Sequence, residues 1–425
     1  MMRLHDLTAR DIAHGVTQGN FRAEDVVRDC LDHIAARDGK VLAWEYLDAD
    51  GAIAAARRAD AGEHRGLLAG VPFGIKDIFD TADMPTGYGS PIFAGHRPAS
   101  DAATVALPRR AGAVALGKTV TTEFANVHPG KTHNPFDPTR TPGGSSSGSA
   151  AAVGARMVPL ALGTQTTAST IRPASFCGTH ALVGSFADIS CSGIRQASWS
   201  LDRPGLFARS IDDLALFRHV LLGERDTPAW PEPLLPRIGF CRTHLWNDVE
   251  PSTQAMLEAA AACLGRAGAA VTDISLPDHF AEIPDAHRWI SSYEFTRNFT
   301  YEVEHHWKRI SSTLRQGRLR DGLGCSYQQY RRAWDYAARC RAQVLAVFDE
   351  VDVLLTVSAA GEAPAGTATG NPAFGAIWTA LHLPSLNLPA FTGPSGLPVG
   401  LQLVAAPHRD RELLGCGLWV EQRLG

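Results

Sequence analysis

Short apolar runs alternate with helix-patterned segments along most of this chain. A sheet covered by helices is what such alternation needs, so the expected fold class is α/β. LLAGVPFGIKDI (67–78) reads as a strand that runs into a Gly/Pro turn. AVALGKTV (113–120), MVPLAL (157–162), VDVLLTV and LPVGLQLVA near the end read as buried strands. Residues 1–65 read as helical, with Thr8 as the cap of a helix over Ala9–Val16. In 23–36 the residues Val26, Val27, Cys30, Leu31 and Ile34 fall at helical spacing. Residues 236–277 read as one β-α-β unit. RIGFCR is its first strand, Ser252 caps a helix bearing Met256, Leu257, Ala260, Cys263 and Leu264 on one face, and AAVTDISL is its second strand. Residues 285–350 read as mostly helical.

Charge removes several function classes. The 425 residues carry a formal net charge of -4, too little positive charge to hold DNA, RNA or an anionic membrane by electrostatics. Basic residues gather in 308–342 (Lys308, Arg309, Arg315, Arg318, Arg320, Arg331, Arg332), but acids are mixed among them, and the run reads as a solvated helical face. The eight cysteines form no CxxC pair and no metal-type spacing, and read as buried thiols in a reducing compartment. The first residues lack the apolar core of a secretion signal, and no apolar run is long enough to span a bilayer. A cytoplasmic protein with no metal, no cofactor and no nucleic-acid or membrane partner is expected.

Three motifs offer chemistry. GAVALGKT (112–119) matches the phosphate-loop pattern, but its intervening Ala-Val-Ala-Leu favours a strand over a phosphate cradle. GSSSG (144–148) fits a nucleophile elbow centred on Ser146, yet TRTPG before it is a poor strand, and an elbow requires one. The third is a combination. Lys76 follows an apolar strand. Ser145 lies in HPGKTHNPFDPTRTPGGSSSGS (128–149), a loop too long to be a plain connection. Ser169 lies in a second small-residue stretch, GTQTTASTIRPASFCG (163–178). A serine hydroxyl needs a base to become a nucleophile. A lysine serves if burial leaves it neutral, and a second serine can relay the proton. The N–H groups of a small-residue turn can then hold an oxyanion. Acyl transfer is therefore possible without histidine.

At these residues the chain resembles the amidase signature family, and within it the malonamidase-type bacterial members. GGSSSGSAAAVGARMVPLALGTQTTASTIRPASFCG covers the signature almost end to end. GIKDIFDTADMPT, GKTVTTEFA, SWSLDRPG (198–205) and LPSLNLP…SGLPVGLQLVA also match. The resemblance implies one amidase domain over 1–425, a central mixed sheet covered by helices on both faces. Within it, 1–65 are N-terminal helices, 66–235 the signature core, 236–350 the β-α-β unit and a helical elaboration shaping the substrate entrance, and 351–425 the C-terminal strands and helix. It implies Ser169 as acyl nucleophile, Ser145 as bridging serine on a cis peptide bond, and Lys76 as general base. The backbone N–H groups of Thr166, Thr167, Ala168 and Ser169 become oxyanion donors. Arg172 becomes the holder of a substrate carboxylate, unless it is tied up in a structural ion pair, and Ser146 joins it as a substrate-binding residue. The implied partner is a small-molecule amide such as a malonamate-like compound, with a homodimer possible by analogy.

Two departures stand out. The family's Gly-Gly-Ser before the nucleophile is Thr167-Ala168-Ser169 here, and a β-branched residue forced to positive φ is strained. Val183-Gly184 occupies a position where relatives carry Lys-Pro. The departures open alternatives to hydrolysis: an acyltransferase with another acceptor, or a relative that keeps the fold without catalysis. The amidase component of a tRNA-dependent amidotransferase shares the signature as well.

Overall fold

The computed structural model describes residues 3–63, 66–226 and 230–424. Eleven strands form one mixed sheet among the described residues: β1 (Trp44–Leu47), β2 (Pro72–Lys76), β3 (Val114–Thr119), β4 (Leu160–Gln165), β5 (His180–Val183), β6 (Arg203–Ala208), β7 (Arg237–Cys241), β8 (Ala270–Ile274), β9 (Val353–Val357), β10 (Ser385–Thr392) and β11 (Pro398–Ala405). Their spatial order is β1-β3-β2-β4-β6-β5-β10-β11-β9-β7-β8. The α/β expectation holds.

Thr8 caps the helix Ala9–Thr17, its hydroxyl accepting the Asp11 N–H, and Val26, Val27, Cys30 and Ile34 of the helix Ala23–Val41 are buried. The N-terminal segment is not wholly helical, however. Leu42 turns to φ 54° and ends its helix, and Trp44 then pairs with Thr119 as edge strand β1. The strand expected over 157–162 begins at Leu160, because Met157 and Val158 fill the preceding turn and Pro159 has no N–H to pair. The β-α-β unit is present, and β7 and β8 are parallel. Its helix, Pro251–Arg266, starts with Glu250 at the cap and Pro251 in the first turn, so Ser252 caps nothing. β8 is a largely exposed edge rather than a buried strand.

β2 and β4 are parallel neighbours near the middle of the sheet, paired Phe73↔Leu160 through Ile75↔Leu162. Their C-terminal ends therefore bring Lys76 beside Thr164, the position where open α/β sheets offer a crevice for ligands. The loop before the helix Ser147–Gly154 folds back over this end, tied by the Gly148 N–H to the Val120 carbonyl at 3.0 Å. β3 carries the rejected phosphate-loop match. Its Lys118 is fully buried, 3.1 Å from Asp77, and donates to the Phe79 carbonyl. No described helix is long and apolar enough to cross a membrane.

Candidate active site

Lys76 is the last residue of β2 and has no solvent exposure. Its Nζ lies 2.8 Å from Ser145 Oγ, 3.0 Å from Ser146 Oγ and 2.7 Å from Thr164 Oγ1. Burial brings its pKa down to about 7, although the nearby Asp202 charge works in the opposite direction. A neutral amine with two N–H donors and one lone pair fits these three hydroxyls. Ser146 is placed to give its own proton to the Thr164 carbonyl at 3.2 Å. Ser145 is then the hydroxyl free to donate to the lysine. The close approach of Ser146 depends on Gly163, where a Cβ would lie 2.8 Å from Ser146 Oγ. Ser146, expected to touch substrate, is instead fully buried against the lysine.

The Gly144–Ser145 peptide bond is cis, as the resemblance implied. Ser169 reaches the same place from the far end of β4. Its carbonyl accepts the Ser146 N–H at 3.4 Å, so the two serine-bearing segments touch. Among the described residues the Ser145 and Ser169 hydroxyls are not hydrogen-bonded to each other. Gln165 Oε1 accepts the N–H groups of Thr170 (3.0 Å) and Ile171 (3.2 Å), and Gln165 Nε2 donates to Thr379, whose hydroxyl donates to the Thr167 carbonyl. This bracing leaves the N–H groups of Thr166, Thr167, Ala168 and Ser169 without an acceptor among the described residues. Consecutive free N–H donors beside a serine hydroxyl are the kind of arrangement that can receive an anion.

The strain expected at Thr167 is absent: neither Thr167 nor Ala168 adopts positive φ. Room for Ala168 comes from across the site, where Gly375 packs so closely that a Cβ there would lie 2.6 Å from the Ala168 Cβ. The replacement of Gly-Gly is thus built into the packing. Restoring glycine at both 167 and 168 is expected to lower stability by about 1–2 kcal/mol through chain entropy and to give no gain in turnover. Urea denaturation alongside steady-state rates checks this.

A cavity of about 280 Å³ opens over Ser169. Thr166, Thr167, Ser169 and Arg172 form its floor, and Asn126, Pro284, His287, Arg288, Arg318 and Thr369 stand in its wall. Arg172 is 4% exposed. Its Nη2 donates to the Gly144 carbonyl at 2.6 Å, while Nε and Nη1 have no partner. Burial without a nearby anion brings its pKa down to about 9. The ion-pair alternative for Arg172 therefore fails. A hollow of about 790 Å³ lies elsewhere, beside Thr8–Thr17 and Ser210–Leu216, but it sets no hydroxyl against a buried amine.

The amidase family model matches residues 25–414. The chain belongs to the amidase family. As an amidase it is an enzyme of amide C–N bonds. Its relatives include one of the subunits of the glutamyl-tRNA(Gln) amidotransferase of Chloroflexus aurantiacus, 34% identical over 98% of this chain and 96% of that protein. A solved inhibitor-bound chain from a vestigial protein complex, tied to the origins of an s-triazine catabolic enzyme, superposes with a TM-score of 0.89 at 28% identity, covering 99% of this chain and 100% of that one. The peptide amidase of Stenotrophomonas maltophilia superposes at 0.85, also at 28% identity, covering 99% of this amidase and 97% of that chain. None of these relatives is a malonamidase by name, so the finer resemblance rests on Arg172 and the motifs alone.

Sequence reasoning passed over three groups around this amidase's site. Asp202, fully enclosed, accepts the Thr166 hydroxyl at 2.6 Å and the Ala197 N–H at 2.7 Å. Burial lifts its pKa to about 6 against the hydrogen bond from Thr166. His287 Nε2 donates to the Thr166 carbonyl at 2.8 Å, and burial holds its pKa down at about 4, so the ring is neutral. Arg318 sits in the basic run read as a solvated face, yet it lines the cavity. Asp202 lay within the SWSLDRPG match; nothing local marked the other two.

Proposed function

We propose that this amidase hydrolyses small amides bearing a carboxylate, through an acyl-enzyme on Ser169. What carries the substrate class is Arg172: a buried guanidinium with two unpartnered nitrogens on the floor of a cavity whose wall holds no acidic side chain. Buried charges require a partner, and a ligand carboxylate supplies it with fork-matched hydrogen bonds.

Neutral Lys76 takes the Ser145 proton, and Ser145 takes the proton of Ser169 after a side-chain rotation brings the two hydroxyls together. Ser169 Oγ then bonds to the amide carbon. The carbonyl oxygen becomes an oxyanion that accepts from the N–H groups of 166–169. The proton on Lys76 returns through Ser145 to the departing nitrogen, and the C–N bond breaks. Water, activated along the same relay, releases the acid and regenerates Ser169.

A panel of a neutral amide, malonamate and an amide with a free ammonium tests the substrate class. The anionic amide is expected to be turned over best and the cationic one worst. Arg172→Gln should raise KM for malonamate by roughly 10–150-fold, the worth of about 1.5–3 kcal/mol of charge-assisted hydrogen bonding. Equal turnover of neutral and anionic amides, unaffected by that substitution, would remove the proposal.

The likeness to a component of an amidotransferase supports a second reading, work within an assembly. Co-purification with partner chains tests it, and the same sizing experiment reads out a homodimer. Turnover with added hydroxylamine separates acyl transfer from hydrolysis.

A further inference from the structure

The cavity over Ser169 carries more positive charge than one carboxylate needs. Three arginines line it and no acid does. Arg288 is neutralised by Asp321 at 2.8 Å, and Arg320 stands 3.6 Å from the same carboxylate. Arg318 itself makes neither an ion pair nor a hydrogen bond among the described residues, and feels Asp202 and Asp321 only as nearby charges. It is held at the cavity by the chain itself: the helical segment opens into a wide turn over Arg315–Leu319, where the neighbouring Gly317 leaves helical geometry at φ -101° and ψ -109°. Wide turns of this kind inside helices recur at functional sites.

The two free arginines are not one clamp. Arg172 bonds to Gly144, on the side of the bridging serine. Arg318 lines the cavity with His287, whose ring donates to the Thr166 carbonyl at the other end of the 166–169 stretch. Burial lowers the pKa of each, and neither contributes to the other's shift. The Asp202 and Asp321 charges partly offset the burial of Arg318, but neither carboxylate hydrogen-bonds or ion-pairs with its guanidinium among the described residues.

We infer that Arg318 is a specificity residue, a second anion anchor that selects dianionic amides with one carboxylate on each side of the scissile bond. This rests on the carboxylate reading of Arg172 and extends it. Such a ligand places its amide over Ser169 by both ends, and a monoanion leaves one guanidinium unpaired in the cavity wall.

Calorimetry on the Ser169→Ala protein tests this without turnover, using acetamide, malonamate, N-acetylglycine and N-malonylglycine. N-Malonylglycine should bind at least roughly tenfold more tightly than either monoanion. Adding Arg318→Gln should abolish the advantage given by one of its carboxylates, Arg172→Gln that given by the other, and Arg318→Lys should restore part of the first. The inference is overturned if the dianion binds no better than the stronger monoanion, or if Arg318→Gln weakens every anion alike or none. N-Malonylglycine binding that responds only to Arg172→Gln would leave the proposed function standing and remove Arg318 from it. Anion binding indifferent to Arg172 would remove both. Arg318 makes no hydrogen bond or ion pair among the described residues, so its replacement breaks none, and thermal melting of each variant checks that the fold is kept.

Discussion

Ser169→Ala is expected to lower kcat by at least ~10³-fold while ligand binding survives. A lost nucleophile is a loss of chemistry, not of the pocket. No neighbouring group can replace it: Ser145 and Ser146 are buried against Lys76, and neither lines the cavity. A fluorophosphonate should add its mass to Ser169 in the wild type and to no residue in the variant. The free N–H groups of 166–169 remain in the variant, so calorimetry with malonamate should still report binding. Turnover that persists, or a label found on Ser145, would transfer the nucleophile's role away from Ser169. An unlabelled wild type would favour a relative that keeps the fold without the reaction.

The parts of this site that could be read from sequence share one property: their chemistry is written in their immediate neighbours. Lys76 follows the apolar run Pro-Phe-Gly-Ile, which favours its burial, and a buried lysine is rare enough to signify. Ser145 and Ser169 stand in loops whose composition suits neither helix nor strand. His287 and Arg318 have no such local mark, and Asp202 is marked only by lying in SWSLDRPG. Each reaches Thr166 or the cavity through long-range packing, and Arg318 was concealed by the basic residues around it, most of which do face solvent. The sheet shows the same division. β9 and β11 are long apolar runs and were legible. β5 and β6 were not: β5 is only His180–Val183, and β6 opens on Arg203-Pro204-Gly205, a charged and turn-like start, with Pro204 opposite Thr164. The mistaken expectation of strain at Thr167 has a similar origin. Composition suggested a glycine-requiring turn, whereas the actual φ values were set by the Gln165–Thr379 bracing and by the space Gly375 leaves.

Lys76→Met is expected to reduce kcat by at least ~10³-fold, since no other base touches Ser145. The wild-type profile should explain why. The amine works only when unprotonated, and its pKa lies at about 7. Activity should therefore rise tenfold per pH unit below about 7 and level off above it. Asp202 pulls that pKa upward, so Asp202→Asn should move the acid limb to lower pH. Stability gives a readout independent of catalysis. The folded pKa lies below the ordinary 10.5, so between about 7 and 10.5 the unfolded chain binds more protons than the native one. Stability then increases with pH through that window, with a slope of up to about 1.4 kcal/mol per unit from this group, and is flat with respect to it below 7. Urea denaturation at pH 7 and pH 9 should show the wild type gaining stability relative to Lys76→Met. Other titrating groups are common to both proteins and cancel in the difference. A profile without a limb near 7, together with parallel stability curves, would mean that the lysine is charged in the folded protein and cannot be the base.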